Sequence, residues 1–231
     1  VSDARRRVEL VERFFAGTGS SYERVVRLAT FGIDGLWKRR IVAAIPGGAR
    51  RILDLACGTG ILTFAIARHF PRAQVVGVEL RAEYLERARR RARRRGVNNV
   101  QFFQGRAEDY ASREPFDAVV SSYLAKYAEL ELLTRNTRDM LETGGLLLMH
   151  DFTYPPKAYL VPVWRLYFKL LQGLGTPLLP AWREIFYGLP RLIEETRWLE
   201  ELTAALAANA FRDVRTRYLT LYGSAVVTAR K

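Results

Sequence analysis

The chain has 231 residues, 49% hydrophobic and 26% charged, with a formal net charge of +13. That suffices for one sizeable core, while the lack of an uncharged apolar run of about eighteen residues excludes a spanning helix. One cysteine, Cys57, excludes an internal disulfide, and with only two histidines beside it no metal-ligand cluster can be read.

The opening VSDARRRVEL carries charge where a secretory signal needs an apolar stretch, so the expected compartment is the cytoplasm. Residues 3–45 read as short helices broken at Gly17, Gly19, Gly32 and Gly35. Then strands and helices alternate. Arg51–Ala56, Gln74–Glu79, Val100–Gln104, Phe116–Ser121 and Gly145–Asp151 are short and apolar. Ile61–Phe70, Ala82–Arg95 and Leu130–Leu141 carry helical spacing. This alternation predicts an α/β fold, a parallel sheet with helices on both faces. Residues 154–190 hold six of the nine prolines and several aromatics. Leu199–Ala208 reads as a helix, and Phe211–Thr216 and Ala225–Ala229 as an antiparallel hairpin closing a sheet edge. Residues 1–45 and 154–190 are expected to sit above the sheet as parts of a single domain, 1–231. The basic run Glu86–Arg95 reads as a solvated helix face, with attraction to nucleic acid or an anionic membrane as the other reading of the charge.

The chemistry starts at Asp54–Gly60, DLACGTG, between a strand and a helix. Open parallel sheets bind ligands at the carboxyl ends of their strands. Gly58 and Gly60 let a ligand approach the backbone. A dinucleotide fingerprint would need glycine at position 63, which is Thr63, and no phosphate-binding lysine follows. The turn therefore suits a nucleoside ligand without phosphate. Glu79 ends the next strand and can accept hydrogen bonds from both ribose hydroxyls.

DLACGTG…VGVEL resembles the first two motifs of class I S-adenosylmethionine-dependent methyltransferases. FFAGTGSSYERVVRLATFGIDGLWKRR, LETGGLLLMHDF and AANAFRDVRTRYLTLYGSAVVTARK are similar to segments of the ubiquinone/menaquinone biosynthesis C-methyltransferases, over nearly the whole chain. The resemblance implies a Rossmann-like, seven-stranded, mostly parallel sheet with an antiparallel C-terminal hairpin, an N-terminal helical lid and a helical insertion after the fifth strand. It also implies a cofactor, S-adenosylmethionine, leaving as S-adenosylhomocysteine. Asp54, Gly58 and Gly60 would hold its methionine part, Glu79 its ribose, and Leu80 and Ala107 its adenine. Ala56, Cys57, Arg106 and Ser121 complete the expected cofactor set, with Cys57 read mainly as a packing residue. Arg106 stands where the family carries an aspartate. It has no acceptor for the adenine amino group, so either Glu108 or Asp109 replaces it or the contact is lost.

The implied acceptor is a small, lipophilic aromatic or quinol molecule. Methylating a ring carbon requires a neighbouring hydroxyl to lose its proton. Candidate groups at the later strand tips are Ser121, Ser122, Tyr123, Lys126, His150 and Asp151, and Lys126 and Tyr127 are the nearest equivalents of an Arg-Asn pair that the resembled family carries after its fourth strand. Asp151, Lys126 and Tyr22 of the lid are the residues expected to carry catalysis, with His150 on the opposite side of its strand. Tyr159, Trp164, Tyr167 and Phe168 wall a channel for an isoprenoid tail or form ordinary core. An amphipathic helix there also fits shallow docking on an anionic membrane. The alternatives are N- or O-methylation of a lipid headgroup, small amine or natural product, and a cofactor- or RNA-binding protein without transferase activity. For RNA, no recognition motif is present.

Overall fold

The computed structural model describes residues 3–231, with side chains from Arg5 onward, so the first two residues of the opening VSDARRRVEL lie outside it. Helices α1 (Asp3–Phe15), α2 (Tyr22–Ala29) and α3 (Ile33–Ala44) precede the alternating core β1 (Arg51–Leu55), α4 (Ile61–His69), β2 (Gln74–Glu79), α5 (Ala82–Arg95), β3 (Val100–Gln104), β4 (Phe116–Ser122), α6 (Leu130–Met140) and β5 (Leu141–Phe152). The insertion holds α7 (Val161–Leu170), a π-helical turn (Leu171–Gly175), the single turn α8 (Thr176–Leu178) and α9 (Arg183–Glu195). Helix α10 (Trp198–Ala208) leads to β6 (Arg212–Leu219) and β7 (Ser224–Arg230).

The seven strands lie in the order β3-β2-β1-β4-β5-β7-β6. The first five are parallel, and β7 pairs antiparallel with both β5 and β6. Strand direction of succession reverses between β1 and β4, which opens a crevice above their carboxyl ends. Alternate residues divide the core. Leu53, Leu55, Val119, Leu147 and Met149 face Leu133, Leu202 and Leu206 of α6 and α10. Ile52, Val120 and Leu148 face Ile41, Leu62 and Ile66 of α3 and α4. Strands apolar on both faces are what a covered parallel sheet requires.

Three expectations need correction. Gly35 does not break a helix. It lies exposed in the first turn of α3, and the break falls at Gly32, whose φ of 76° only glycine adopts readily. β5 starts at Leu141, not Gly145. The Gly144-Gly145 pair is absorbed as a bulge, with Leu141 opposite Phe116 and Leu146 opposite Ala118. The insertion runs past Pro190 to Glu195. Proline has no N–H for the carbonyl of Phe186 one turn earlier, and the Gln172 side chain donates to that oxygen instead, at 3.1 Å.

A third apolar cluster joins the additions to each other. Phe14 of α1, Val25 of α2 and Trp182, Ile185 and Phe186 of the insertion pack with Tyr127 beyond β4. A Cβ on Gly188 of α9 would lie 2.4 Å from the Phe14 ring, so the seat of α1 requires glycine there. Gly188→Val should unseat α1. Overpacking of this kind costs about 1–3 kcal/mol, so trypsin cleavage at Arg13 should accelerate roughly 5- to 150-fold while the thermal transition of the sheet persists. An unchanged cleavage rate would contradict this packing.

Candidate active site

The turn after β1 is built from the backbone upward. Ala56 takes a left-handed φ of 56° and Gly60 one of 84°. Cys57 N–H donates to Val78 O of the neighbouring strand, and Gly60 N–H returns to Cys57 O, each at 2.9 Å. The Glu79 carboxylate then ties the two strand tips together. It accepts the Gly58 N–H at 2.9 Å and the Arg81 N–H at 2.8 Å. Burial raises its pKa, and the two amides oppose that rise.

A cleft lies over these tips, walled by Ala56, Gly58, Glu79, Leu80, Arg106 and Ala107 among the expected residues. Asp54, Cys57, Gly60 and Ser121 are not on this wall. Cys57 points its sulfur at Gly77, where a Cβ would meet it at 2.9 Å, and burial pushes its thiol pKa up. Asp54 faces α4 and accepts a 2.6 Å hydrogen bond from Thr63, the residue that replaces a dinucleotide glycine. Desolvation raises its pKa to about 7. Glu108 lines the cleft, buried, with Arg106 Nη2 3.6 Å from its Oε1. Asp109 is exposed.

The cleft fits an uncharged nucleoside better than a phosphate. Above Gly105 a Cβ would meet nothing within 4 Å, and above Gly58 only the edge of Tyr84 at 4.0 Å. Leu80 and Ala107 offer apolar walls for a base, and Glu79 offers acceptors for a sugar. The wall arginines are engaged on the protein's own oxygens. Arg7 donates to Ala128 O at 2.8 Å, Arg81 to Glu12 O at 3.0 Å, and Arg106 to Asp109 at 3.3 Å. The first two of these also fasten α1 across the cleft.

A second, apolar cavity of about 320 Å³ opens beside the first. Phe15, Tyr22, Tyr123 and Tyr127 line both. Trp164, Tyr167 and Phe168 wall the cavity as a channel requires, whereas Tyr159 points outward, 72% exposed. Burial raises the pKa values of Tyr22, Tyr123 and Tyr127, so these hydroxyls remain protonated hydrogen-bonding groups. Tyr123 holds a left-handed φ of 70° and donates to Asp34 Oδ1 at 2.6 Å, an oxygen that also accepts from Lys38.

Lys126 reaches the cavity wall and pairs, buried, with Asp151. Asp151 accepts from the Lys126 N–H at 3.2 Å and the Phe152 N–H at 2.7 Å as well. Burial lowers the Lys126 pKa, with the Asp151 charge opposing it. His150 points to the other side of the strand. It packs on Trp37 at 5.3 Å, bonds Ser122 Oγ through Nδ1 at 3.0 Å, and lines neither cavity. Burial, then the charges of Lys38 and Lys126, keeps it neutral. Sequence reading missed Phe15 and Val11 of α1 and Tyr84 of α5, which also line the cleft. Tyr84 shares a 2.5 Å hydrogen bond with Thr18, and its place five residues beyond Glu79 was the available signal.

The Asp54 carboxyl ionises at about pH 7 when folded, against an ordinary value of 3.8. Its contribution to stability is complete below pH 3.8 and is lost as pH climbs through about 7. In the ligand-free protein, Asp54→Asn removes that penalty. Its melting temperature should exceed wild type most above pH 7, and the excess should shrink as pH falls and vanish below about 3.8, as calorimetry would record. A pH-independent difference would contradict the buried ionisation.

Comparison with known proteins gives the family and the fold. Residues 52–145 match a family described as Methyltransferase domain. A demethylmenaquinone methyltransferase of Thermus thermophilus is 35% identical over 92% of this chain and 97% of its own length. A ubiquinone/menaquinone biosynthesis C-methyltransferase of Desulfotalea psychrophila is 32% identical over 73% of this chain and 67% of its own. Among solved structures, a geranyl diphosphate C-methyltransferase of Streptomyces coelicolor, in complex with S-adenosylhomocysteine, superposes with a TM-score of 0.62 at 16% identity, covering 91% of this chain and 84% of that one. A phosphoethanolamine N-methyltransferase of Haemonchus contortus, in complex with S-adenosylmethionine, superposes with a TM-score of 0.56 at 16% identity, and this chain spans 48% of its length.

Proposed function

The chain belongs to the family of S-adenosylmethionine-dependent methyltransferases that contains the demethylmenaquinone and ubiquinone/menaquinone C-methyltransferases, and from that premise we propose that it methylates a ring carbon of a quinol bearing a lipophilic tail. The observation that carries this reading is the apolar cavity joined to the cofactor cleft through four shared aromatic residues. A headgroup or small amine would leave that apolar wall without a partner.

The bound cofactor supplies a methyl on a cationic sulfur, so the protein's task is alignment and removal of one acceptor proton. We assign Glu79 to the ribose, Leu80 and Ala107 to the adenine, and Gly58 to close backbone approach. Asp54, Ala56, Cys57, Gly60, Arg106 and Ser121 support that turn and its surroundings. Tyr22, Tyr123 and Tyr127 line the passage between cleft and cavity and exclude water. Lys126 carries the acid–base step. Its depressed pKa eases entry as the neutral amine, which takes the ring-hydroxyl proton at Nζ and becomes the ammonium facing both the new oxyanion and Asp151; once the carbon carries the methyl, its ring hydrogen leaves as a proton and the oxygen regains one, so one proton is released overall. Asp151 holds that amine in place. The N-terminal helices and the insertion act as lid and tail channel of one domain, working in the cytoplasm at the surface of an anionic membrane.

Purified protein given a prenylated demethylmenaquinol and isotopically labelled S-adenosylmethionine should place label on ring carbon. Label on oxygen or nitrogen, or none, would overturn the proposal. Removing the tail should raise KM with little change in kcat. The rate should rise with pH through an apparent pKa below lysine's ordinary 10.5. General-base contributions are about 10²–10⁴-fold, and Lys126→Met should lose that much while Lys126→Arg fails to restore it. A Lys126→Met rate equal to wild type would remove Lys126 from the chemistry.

A further inference from the structure

Helix α7 is apolar on two adjoining faces, with Arg165 and Lys169 on the remaining stripe. Trp164, Tyr167 and Phe168 face the cavity, as described. Tyr159, Leu166, Leu170 and Leu174, spaced at helical intervals on and around α7, form a second row facing outward, each between 52% and 72% exposed, and Val163, 62% exposed, stands at the rim where it also lines the cavity. Single apolar residues on a surface are ordinary, but a continuous row on a helix that is apolar on its other face too is not. The row runs beside the cavity mouth, where Phe31 and Leu221 both line the cavity and stand 82% and 76% exposed. Both hold left-handed backbone, φ 51° and 50°, which disfavours bulky residues. The Phe31 ring lies 6.5 Å from that of Tyr167, so the turn before α3 meets α7 at the cavity mouth.

Charge selects the occupant. From Tyr154 to Arg183 the chain carries Lys157, Arg165, Lys169 and Arg183 and no carboxylate. Lys157 and Lys169 are exposed, and Arg165 meets Glu194 of α9 at 3.5 Å in a surface pair of little strength. A second copy of this +13 chain would set the same cations against each other. An anionic lipid surface would meet them with opposite charge and accept the apolar row. No helix among the described residues is long and apolar enough to cross a membrane, so the contact is shallow.

We propose that the outer face of α7, with Phe31 and Leu221 at the cavity mouth, docks on an anionic phospholipid bilayer, so that the mouth opens into the acyl region. The route for a tailed acceptor rests on the function proposed above. The docking does not, and it is measurable without any acceptor.

The full chain is sedimented with vesicles of phosphatidylcholine alone and with 30% phosphatidylglycerol (about that fraction suffices for a strong surface potential). Wild type should partition onto the anionic vesicles and release as salt rises. Leu166→Asp/Leu170→Asp alters only exposed positions off the cavity wall, and should reduce partitioning at least tenfold while calorimetric binding of S-adenosylhomocysteine is retained. Lys157→Glu/Lys169→Glu should reduce it on anionic vesicles. Wild type that ignores anionic vesicles, or a double aspartate variant that binds them unchanged, overturns the inference. So does sedimentation showing a dimer that this variant dissolves, because a second copy would then own the face. Vesicle binding without quinol methylation would leave this inference standing and remove the other. Methylation of a tail-less quinol without vesicle binding would do the reverse.

Discussion

One carboxylate joins the two strand tips on which the site is built. Glu79 ends β2, and its oxygens accept the Gly58 and Arg81 amides, so the turn after β1 and the start of α5 share a single anchor. That contact explains why the turn is bare of side chains and why an acid stands twenty-one residues beyond Gly58. A carboxylate has about four acceptor positions, and two amides leave the others for a diol. The sheet order makes this possible, since β1 lies between β2 and β4 at the reversal of the strand sequence. The cleft above the anchor follows from topology, and its chemistry follows from Glu79.

The second half of the site comes from the additions. α1 is latched by Arg7 to Ala128 O and by Arg81 to Glu12 O, and its Phe15 helps to line both the cleft and the apolar cavity. The insertion supplies the opposite wall of the cavity. Its longest helix, α9, survives an internal proline because Gln172 donates to the carbonyl left free. Burying Lys126 with Asp151 in this apolar wall carries a desolvation cost, which the hydrogen bonds on Asp151 offset in part. A buried, lowered lysine on the wall of the apolar cavity is the kind of departure from core packing that a reaction would require.

Much of the frame was legible in the sequence. Strands β2 and β3 and helix α5 have the boundaries that their patterns predict, because apolar runs flanked by turns leave few alternatives. Gly35 and Gly144-Gly145 misled, because a glycine in an exposed turn or at a bulge need not end an element. In the site, Glu79 was readable from its spacing to Gly58. The outward turn of Tyr159, just before α7, was not, since apolar residues spread over two adjoining faces give no sign of which is inward. Pairing of Lys126 with Asp151, and of Tyr123 with Asp34, joins residues far apart in sequence and has no local signature. The Trp37-Lys38 pair became intelligible only in the fold. Trp37 donates to Thr220 at 2.9 Å and covers His150, while Lys38 pairs with Asp34.

The proposed methyl transfer depends most on a sugar diol being held by the Glu79 carboxylate. Calorimetric titration with S-adenosylhomocysteine and with its 2′-deoxy analogue tests that contact without altering the protein. A hydrogen bond to a charged group contributes about 1.5–3 kcal/mol, so the analogue should bind roughly 10- to 150-fold more weakly. Equal affinity for the two compounds, or no heat from either with a folded protein, would contradict it.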